Sequence, residues 1–248
     1  MKIDNKKIWI YAAIASSVCL LALIIVFVSS WMKPVGEFAT WPQDEAYKLR
    51  AQNAKAIKAA GKTPVTDIRA FDAKIDYFEG KANAKVKMIV YTDFDCPFCA
   101  TFNKTLKEVA KAYKNDVVII YRTFPLDAHP EAVSAANAWY CAGEQGKWEA
   151  AKDALYDITN KDDEKYLAMG KELGLDQKKY ADCLKTEKYN DKILTDKEEA
   201  KGAGVGGTPT SFLNDIILPG AYQFNDFTDP SASTRKGLKS LINEQLKK

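Results

Sequence analysis

The chain has 248 residues, enough for one substantial domain with its own core or for one domain carrying an insertion. Its 36 basic and 33 acidic side chains leave a formal charge of +3 with the single histidine neutral. Lys2, Lys6 and Lys7 against Asp4 place +2 of that charge in residues 1–31, so +1 remains for residues 32–248, which excludes the basic footprint of a nucleic-acid-binding surface.

The first element expected is a membrane span. Ile8 to Val28, "IWIYAAIASSVCLLALIIVFV", runs 21 residues without a charge, enough helix for a hydrocarbon layer of roughly 30 Å. The lysines before it keep the tip cytoplasmic and send everything after Trp31 outward, making residues 1–31 a single-pass signal anchor. A cleaved signal peptide fits less well, because such apolar regions run about 7 to 15 residues and "VSS" is only a loose cleavage site. Cys19 follows a poor lipidation motif and reads as a buried membrane cysteine. Residues 32–65 read as a stalk or flanking helix, with Leu49, Ala54 and Ile57 as a weak apolar stripe before Gly61.

Strand patterns begin near Val65 with "TDIRAFDAKIDYFEG" and continue in "AKVKMIVYTDF", whose β-branched and aromatic content suits a central strand. "CATFNKTLKEVAKAYKND" follows as a helix with Phe102, Leu106, Val109, Ala110 and Tyr113 on one face. "DVVIIYRTFPL" is a second buried strand, so strand, helix, strand predicts a parallel pair with a right-handed crossover. Residues 127–205 contain successive helical stretches, from "PEAVSAANAWYCAGEQ" to "TDKEEAKGAG", and predict a helical domain inserted in the chain. "TPTSFLNDIILPGAY" reads as a hairpin around Asn-Asp, and a final helix is expected to start near Pro230. The lysines of segments such as "KKYADCLKTEKY" read as solvated helix faces. The class is α/β.

Beyond the span lie Cys96, Cys99, Cys141 and Cys183, an even number in a compartment that would be oxidising, which permits two pairs. For "CPFC", covalent haem attachment wants His after the second cysteine, where Ala100 stands. A zinc site needs two further ligands, and the chain offers only His129 and isolated cysteines. Redox chemistry suits the local physics. A sulfur at the start of a helix faces unpaired N–H groups and the positive end of the macrodipole, which favours thiolate, and Pro97 belongs in a first turn. Cys96 is then the expected nucleophile, exposed to substrate, and Cys99 the resolving thiol.

"DFDCPFC" after a strand, "FPLDAHPEAVSAANAWYCAGEQGKW" and "GVGGTPTSFLN", in this order, resemble the DsbA family of thiol:disulfide oxidoreductases over about residues 66–248. The resemblance implies a thioredoxin fold in two parts, 66–126 and 206–248, around the helical insertion. It implies catalysis by Cys96 and Cys99 with no cofactor beyond their disulfide and no metal, and a cis Thr208–Pro209 bond opposite them that binds extended substrate. It implies a structural bridge between Cys141 and Cys183. The partners it suggests are reduced or unfolded exported proteins and a quinone-linked membrane oxidase of the DsbB or VKOR type, on a bacterial membrane with the catalytic domain outside. A reductase or isomerase of the same fold, and a non-catalytic thioredoxin-fold chaperone or binding module, are the alternatives.

Several residues depart from the family pattern or stay open. Strongly oxidising members carry Pro-His between the cysteines; Pro97-Phe98 here supplies no imidazole to a thiolate, which suggests a weaker oxidant. Val90 stands where many relatives bury an acid. Asp93 and Asp95 read equally as proton-handling groups or turn residues, and His129 reads as a helix-start or packing residue. Phe94, Phe98 and Phe124 suit either an apolar rim for unfolded chains or the core, with Phe98 the one expected to be exposed and to touch substrate. Gly202, Gly204 and Gly207 spell a dinucleotide-loop pattern without the strand before and helix after that such a loop requires.

Overall fold

The computed structural model describes residues 68–214, 216–228 and 234–248. The expected anchor at 8–28, with Cys19, and the stalk at 32–65 lie outside the described residues. Among the described residues, no helix is long and apolar enough to cross a membrane.

The centre is a five-stranded sheet. Strands β1 (Tyr77–Gly80), β2 (Val86–Thr92), β3 (Val117–Thr123), β4 (Thr210–Leu213) and β5 (Ile216–Pro219) lie in the order β1-β3-β2-β4-β5. Only β2 and β3 run parallel, in register from Val86↔Val117 to Thr92↔Thr123, and helix α1 (Pro97–Ala112) connects them. Their sequences, VKMIVYT and VVIIYRT, are β-branched and aromatic because both faces of these strands are covered; every residue of β3 is buried. α1 buries Cys99, Phe102, Leu106 and Val109, one face at helical spacing.

Between β3 and β4 the chain forms helices α2 (Ala132–Gly143), α3 (Trp148–Asp157), α4 (Asp163–Glu172), α5 (Gln177–Lys185) and α6 (Asn190–Gly202). α2 is the core of this insertion: its alanines, Trp139, Tyr140 and Cys141 are all buried. α4 and α5 start on aspartates, Asp162 and Asp176, whose carboxylates accept from the amides of Lys165 and Lys179 at 2.9 and 3.0 Å. Cys141 of α2 and Cys183 of α5 are joined, with S–S 2.06 Å and Cα–Cα 5.8 Å. α2 approaches the sheet so closely at Gly143 that a Cβ there would lie 1.9 Å from the Tyr77 hydroxyl. α6 and the residues after it close one face of the sheet: Ala200 of the helix, with Ala203 and Val205 beyond its end, pack on Tyr91, Val118, Ile120 and Phe212.

Three expectations are corrected. Residues 68–76 are not strand; Asp72 turns the chain, its carboxylate accepting from the Lys74 amide at 2.9 Å and its carbonyl from the amides of Ile75 and Asp76. The last helix, α7 (Leu238–Lys247), begins well after Pro230, because β7 (Thr234–Arg235) pairs with β6 (Phe227–Thr228). Gly237 then precedes the helix with its amide on Asp226 at 2.9 Å, where a Cβ would meet the Asn225 carbonyl at 2.1 Å. Not all lysines are solvated either. Lys152 is buried on Glu79 at 2.8 Å and over the Tyr121 ring at 4.0 Å, and Lys192 and Lys197 are buried against Asp196 and Asp127.

Lys192, through Asp196 and Arg69, joins a wider ion network that periodicity does not reveal. Arg122 of β3, fully buried, bonds Asp76 at 3.1 Å and Glu199 of α6 at 3.4 Å, while Arg69 bonds Asp76 at 2.6 Å. Burial alone would raise the Asp76 pKa, but the guanidinium groups of Arg122 and Arg69 outweigh it and hold the carboxylate well below its usual range. This network ties the segment before β1, the central sheet and α6 together.

Candidate active site

The cysteine pair sits where β2 gives way to α1. Asp93 shapes the turn: its carbonyl accepts from the Cys96 amide at 3.2 Å, and its carboxylate from the Asp95 amide at 2.8 Å. Cys96 is the N-cap of α1, its carbonyl accepting from the amides of Cys99 and Ala100 at 3.0 and 3.1 Å, and Pro97 takes the first helical position, where its missing N–H removes nothing. Both thiols are free.

The two sulfurs are driven apart in acidity. Cys96 is pushed down to about 5, chiefly by the hydrogen bond from the Cys99 thiol, against the opposing effect of burial; Thr208 and the amides of Cys99 and Phe98 add to it. Those amides act through the field of the helix start, since the sulfur makes no full capping hydrogen bond. Cys99, 1% exposed, is pushed far up, first by burial and then by its hydrogen bond to Cys96. The arrangement holds one proton on Cys99 and leaves Cys96 as thiolate at neutral pH.

Sheet pairing delivers the second half of the site. β4 runs antiparallel beside β2 with Tyr91↔Thr210 in register, so the residues just before β4 meet the cysteines just after β2. The Thr208–Pro209 bond is cis, and the Thr208 carbonyl lies 3.4 Å from Cys96 Sγ. The loop is anchored by the Gly220 amide on the Pro209 carbonyl at 2.7 Å and by the Thr210 hydroxyl on the Gly207 carbonyl at 2.7 Å. Gly202 ends α6, and Gly204 and Gly207 lie between it and β4, the reverse of a strand-to-helix phosphate loop.

The aromatic residues divide. Phe98, between the cysteines, is 67% exposed, whereas Phe94 and Phe124 are core; Phe94 packs against Trp139 and Tyr156 at 5.4 and 5.3 Å. Cys96 itself is only 4% exposed, contrary to the exposed sulfur expected, because it sits at the foot of the Thr208–Pro209 loop rather than proud of it.

Sequence reading left Asp93, Asp95 and His129 open and missed the partners that tie them to the pair. Asp93 is fully buried and its carboxylate accepts from the Leu126 amide at 2.8 Å and faces His129 Nδ1 at 2.8 Å, so His129 is more than a helix-start or packing residue. Asp95 pairs with Lys161, from the α3–α4 connection, at 2.7 Å. Thr92 and Tyr156 share a hydrogen bond of 2.6 Å, and both lie close enough to Cys99 to act on it or be acted on by it. Each partner is tens of residues away in sequence, and no local motif links them.

The family model described as thioredoxin matches residues 72–230. Among curated proteins, the chain is 31% identical over 162 residues to a Na(+)/H(+) antiporter NhaA 1 of Mycolicibacterium vanbaalenii, a match over 62% of this chain and 26% of that protein. The chain thus spans about a quarter of the length of this relative. Among solved structures, the thiol-disulfide exchange protein alpha-DsbA2 of Wolbachia pipientis superposes with a TM-score of 0.57 at 18% identity, over 81% of this chain and 98% of that one. The catalytic domain of Proteus mirabilis ScsC does so with a TM-score of 0.54 at 23% identity, over 79% and 99%. At these identities the likeness is one of fold.

Proposed function

We propose, from the premise that the chain belongs to the thioredoxin family, that it is an extracytoplasmic thiol:disulfide oxidoreductase which donates the Cys96–Cys99 disulfide to reduced exported proteins. The observation that carries this is the placement of the pair. Cys96 is the N-cap of α1 with its Sγ 3.4 Å from the Thr208 carbonyl, while Cys99 is buried one turn further in, an arrangement that lowers the pKa of the first sulfur and raises that of the second. A substrate thiolate attacks Cys96 Sγ of the disulfide and Cys99 departs as a thiolate, which takes up the proton that the substrate thiol gave up because burial favours its neutral form. The second substrate thiolate then attacks its own partner sulfur in the mixed disulfide and expels Cys96, which leaves readily because its thiolate is stabilised. Favouring the reduced, thiolate form makes the disulfide the better oxidant, which supports donation over reduction.

Thr208 and the cis Pro209 present backbone to an extended chain, and Phe98 gives its apolar residues a landing surface. The Cys141–Cys183 bridge suits an oxidising compartment, in keeping with an anchor at residues 8–28. The reduced enzyme is returned to its disulfide by a quinone-linked membrane partner of the DsbB or VKOR type. The test is oxidation of a reduced model protein by wild type and by Cys96→Ser. Wild type is expected to restore the model protein's disulfides and the variant to lose this; equal rates would leave a chaperone or binding module as the reading. An equilibrium potential against glutathione near that of thioredoxin, about −270 mV, would overturn the direction.

A further inference from the structure

The Asp93 carboxylate links the cysteine turn to a histidine 36 residues further on, at the start of the helical insertion. Its oxygens are committed as acceptors: Oδ1 to the Asp95 amide at 2.8 Å, Oδ2 to the Leu126 amide at 2.8 Å and to His129 Nδ1 at 2.8 Å. A carboxylate can only accept here, so Nδ1 carries the hydrogen and Nε2 is the nitrogen that takes up and releases a proton. The ring is 24% exposed, open enough to exchange that proton, while the Asp93 side chain is wholly buried. Asp93 also hydrogen-bonds both cysteines through its backbone, its carbonyl taking the Cys96 amide at 3.2 Å and its amide facing Cys99.

We propose that His129, held by Asp93, is the charge counterpart of Cys96: in the reduced protein an imidazolium at 129 faces the thiolate at 96. The inference rests on the redox reading above and deepens it. A dithiol substrate loses two protons and two electrons when the Cys96–Cys99 disulfide oxidises it. Its electron pair enters the protein's S–S bond, one proton ends on Cys99, and the other is divided between His129 Nε2 and solvent rather than ending on Cys96. When the disulfide is re-formed, His129 releases its share again. The imidazole absent from between the cysteines is thus supplied from the far end of β3, and His129 acts as a positioning residue for charge at Cys96.

The charges facing the ring are consistent with this. The hydrogen bond to Asp93 raises the His129 pKa against partial burial, and the charges of Asp93, Cys96 and Asp95 raise it further. Asp95 is itself answered by Lys161 at 2.7 Å from the α3–α4 connection. Tyr156 of α3 and Tyr166 of α4, whose burial pushes their hydroxyl pKa values up, stay neutral, and Glu131 lies two residues beyond the ring.

His129 is the chain's one histidine, so its ring C–H signals in NMR are unambiguous. Titrated in oxidised, reduced and Cys96→Ser protein, the ring is expected to show a midpoint higher in the reduced form than in the other two, by on the order of 0.5 to 1 pH unit. By reciprocity, His129→Asn is expected to raise the Cys96 midpoint, followed by thiolate absorbance, by the same amount. Asn keeps an N–H for Asp93, so a purely structural role would leave the Cys96 midpoint where it is. Identical histidine midpoints in all three forms would overturn the pairing, whatever the wild type does to a dithiol. Coupled midpoints in a wild type that oxidises no dithiol would support the pairing and overturn the function proposed above.

Discussion

The split acidity of the two sulfurs makes a kinetic prediction that depends on pH more than on rate. Consider the reduced protein reacting with a pyridyl disulfide. With Cys96 at about 5, half of it is thiolate at that pH, whereas an ordinary thiol near pKa 8.5 is ionised to roughly 0.03%. Nucleophilicity falls with pKa at a Brønsted slope of about 0.45, so each Cys96 thiolate is roughly 40-fold less reactive than that of an ordinary cysteine. At pH 5 ionisation wins by about 1,600-fold against that 40-fold, and Cys96 reacts roughly 40 times faster; at pH 7 the advantage in ionisation is only about 30-fold, and the two thiols react at similar rates. The 4% exposure of Cys96 scales every rate alike, so the profile rather than its height is diagnostic. The stopped-flow rate of the first thiol is expected to be flat from about pH 6 to 8 and to fall tenfold per unit only below about pH 5. A rate that drops tenfold per unit from about pH 8 downward would refute the arrangement of sulfurs described here.

The same acidity links redox state to folding. Cys96 has its pKa depressed in the folded reduced protein, so its contribution is fully present above the unfolded value of about 8.5 and is lost as pH falls through about 5. Urea melts of reduced and oxidised protein should therefore show the reduced form losing stability relative to the oxidised one across that window; a pH-independent difference would contradict it. Replacing both Cys141 and Cys183 by Ala opens a loop whose ends are 42 residues apart, for which chain entropy gives a loss of about 4 kcal/mol in unfolding free energy. An unchanged urea midpoint would mean the bridge does not constrain the unfolded chain. Arg122→Met strands Asp76 in the core with Arg69 as its remaining guanidinium partner and is expected to cost about 3 to 5 kcal/mol by the same measurement. A loss below about 1 kcal/mol would mean that Asp76 is answered without Arg122.

The parts legible in advance are those decided within a few residues. The apolar face Phe102, Leu106, Val109 of α1 follows from helical spacing, and the buried runs of β2 and β3 from their β-branched content. The five insertion helices are separated by Gly, Asn and Asp breaks, although α6 starts at Asn190, five residues before the stretch that looked helical. Errors arose where a long-range partner outvoted local pattern. "TDIRAFDAKID" alternates like a strand, but Arg69 and Asp76 are drawn into the ion network of Arg122, and the chain bends at Asp72 to bring them there. The segment after Pro230 reads as helical, yet Thr234 and Arg235 pair with Phe227 and Thr228.

By itself, the sequence determined a local frame: two cysteines one helical turn apart, at the start of an amphipathic helix, after an apolar strand and with proline where a missing N–H does no harm. That frame follows from backbone sterics and spacing, which act between near neighbours. Only the tertiary structure decided what surrounds the sulfurs. The antiparallel register of β4 on β2 brings the Thr208 carbonyl to Cys96, burial separates the acidity of Cys99 from that of Cys96, and the return of the chain after β3 places His129 on Asp93. Electrostatics and desolvation depend on distance in space, and residues 33 to 112 positions apart become neighbours only when the sheet is assembled.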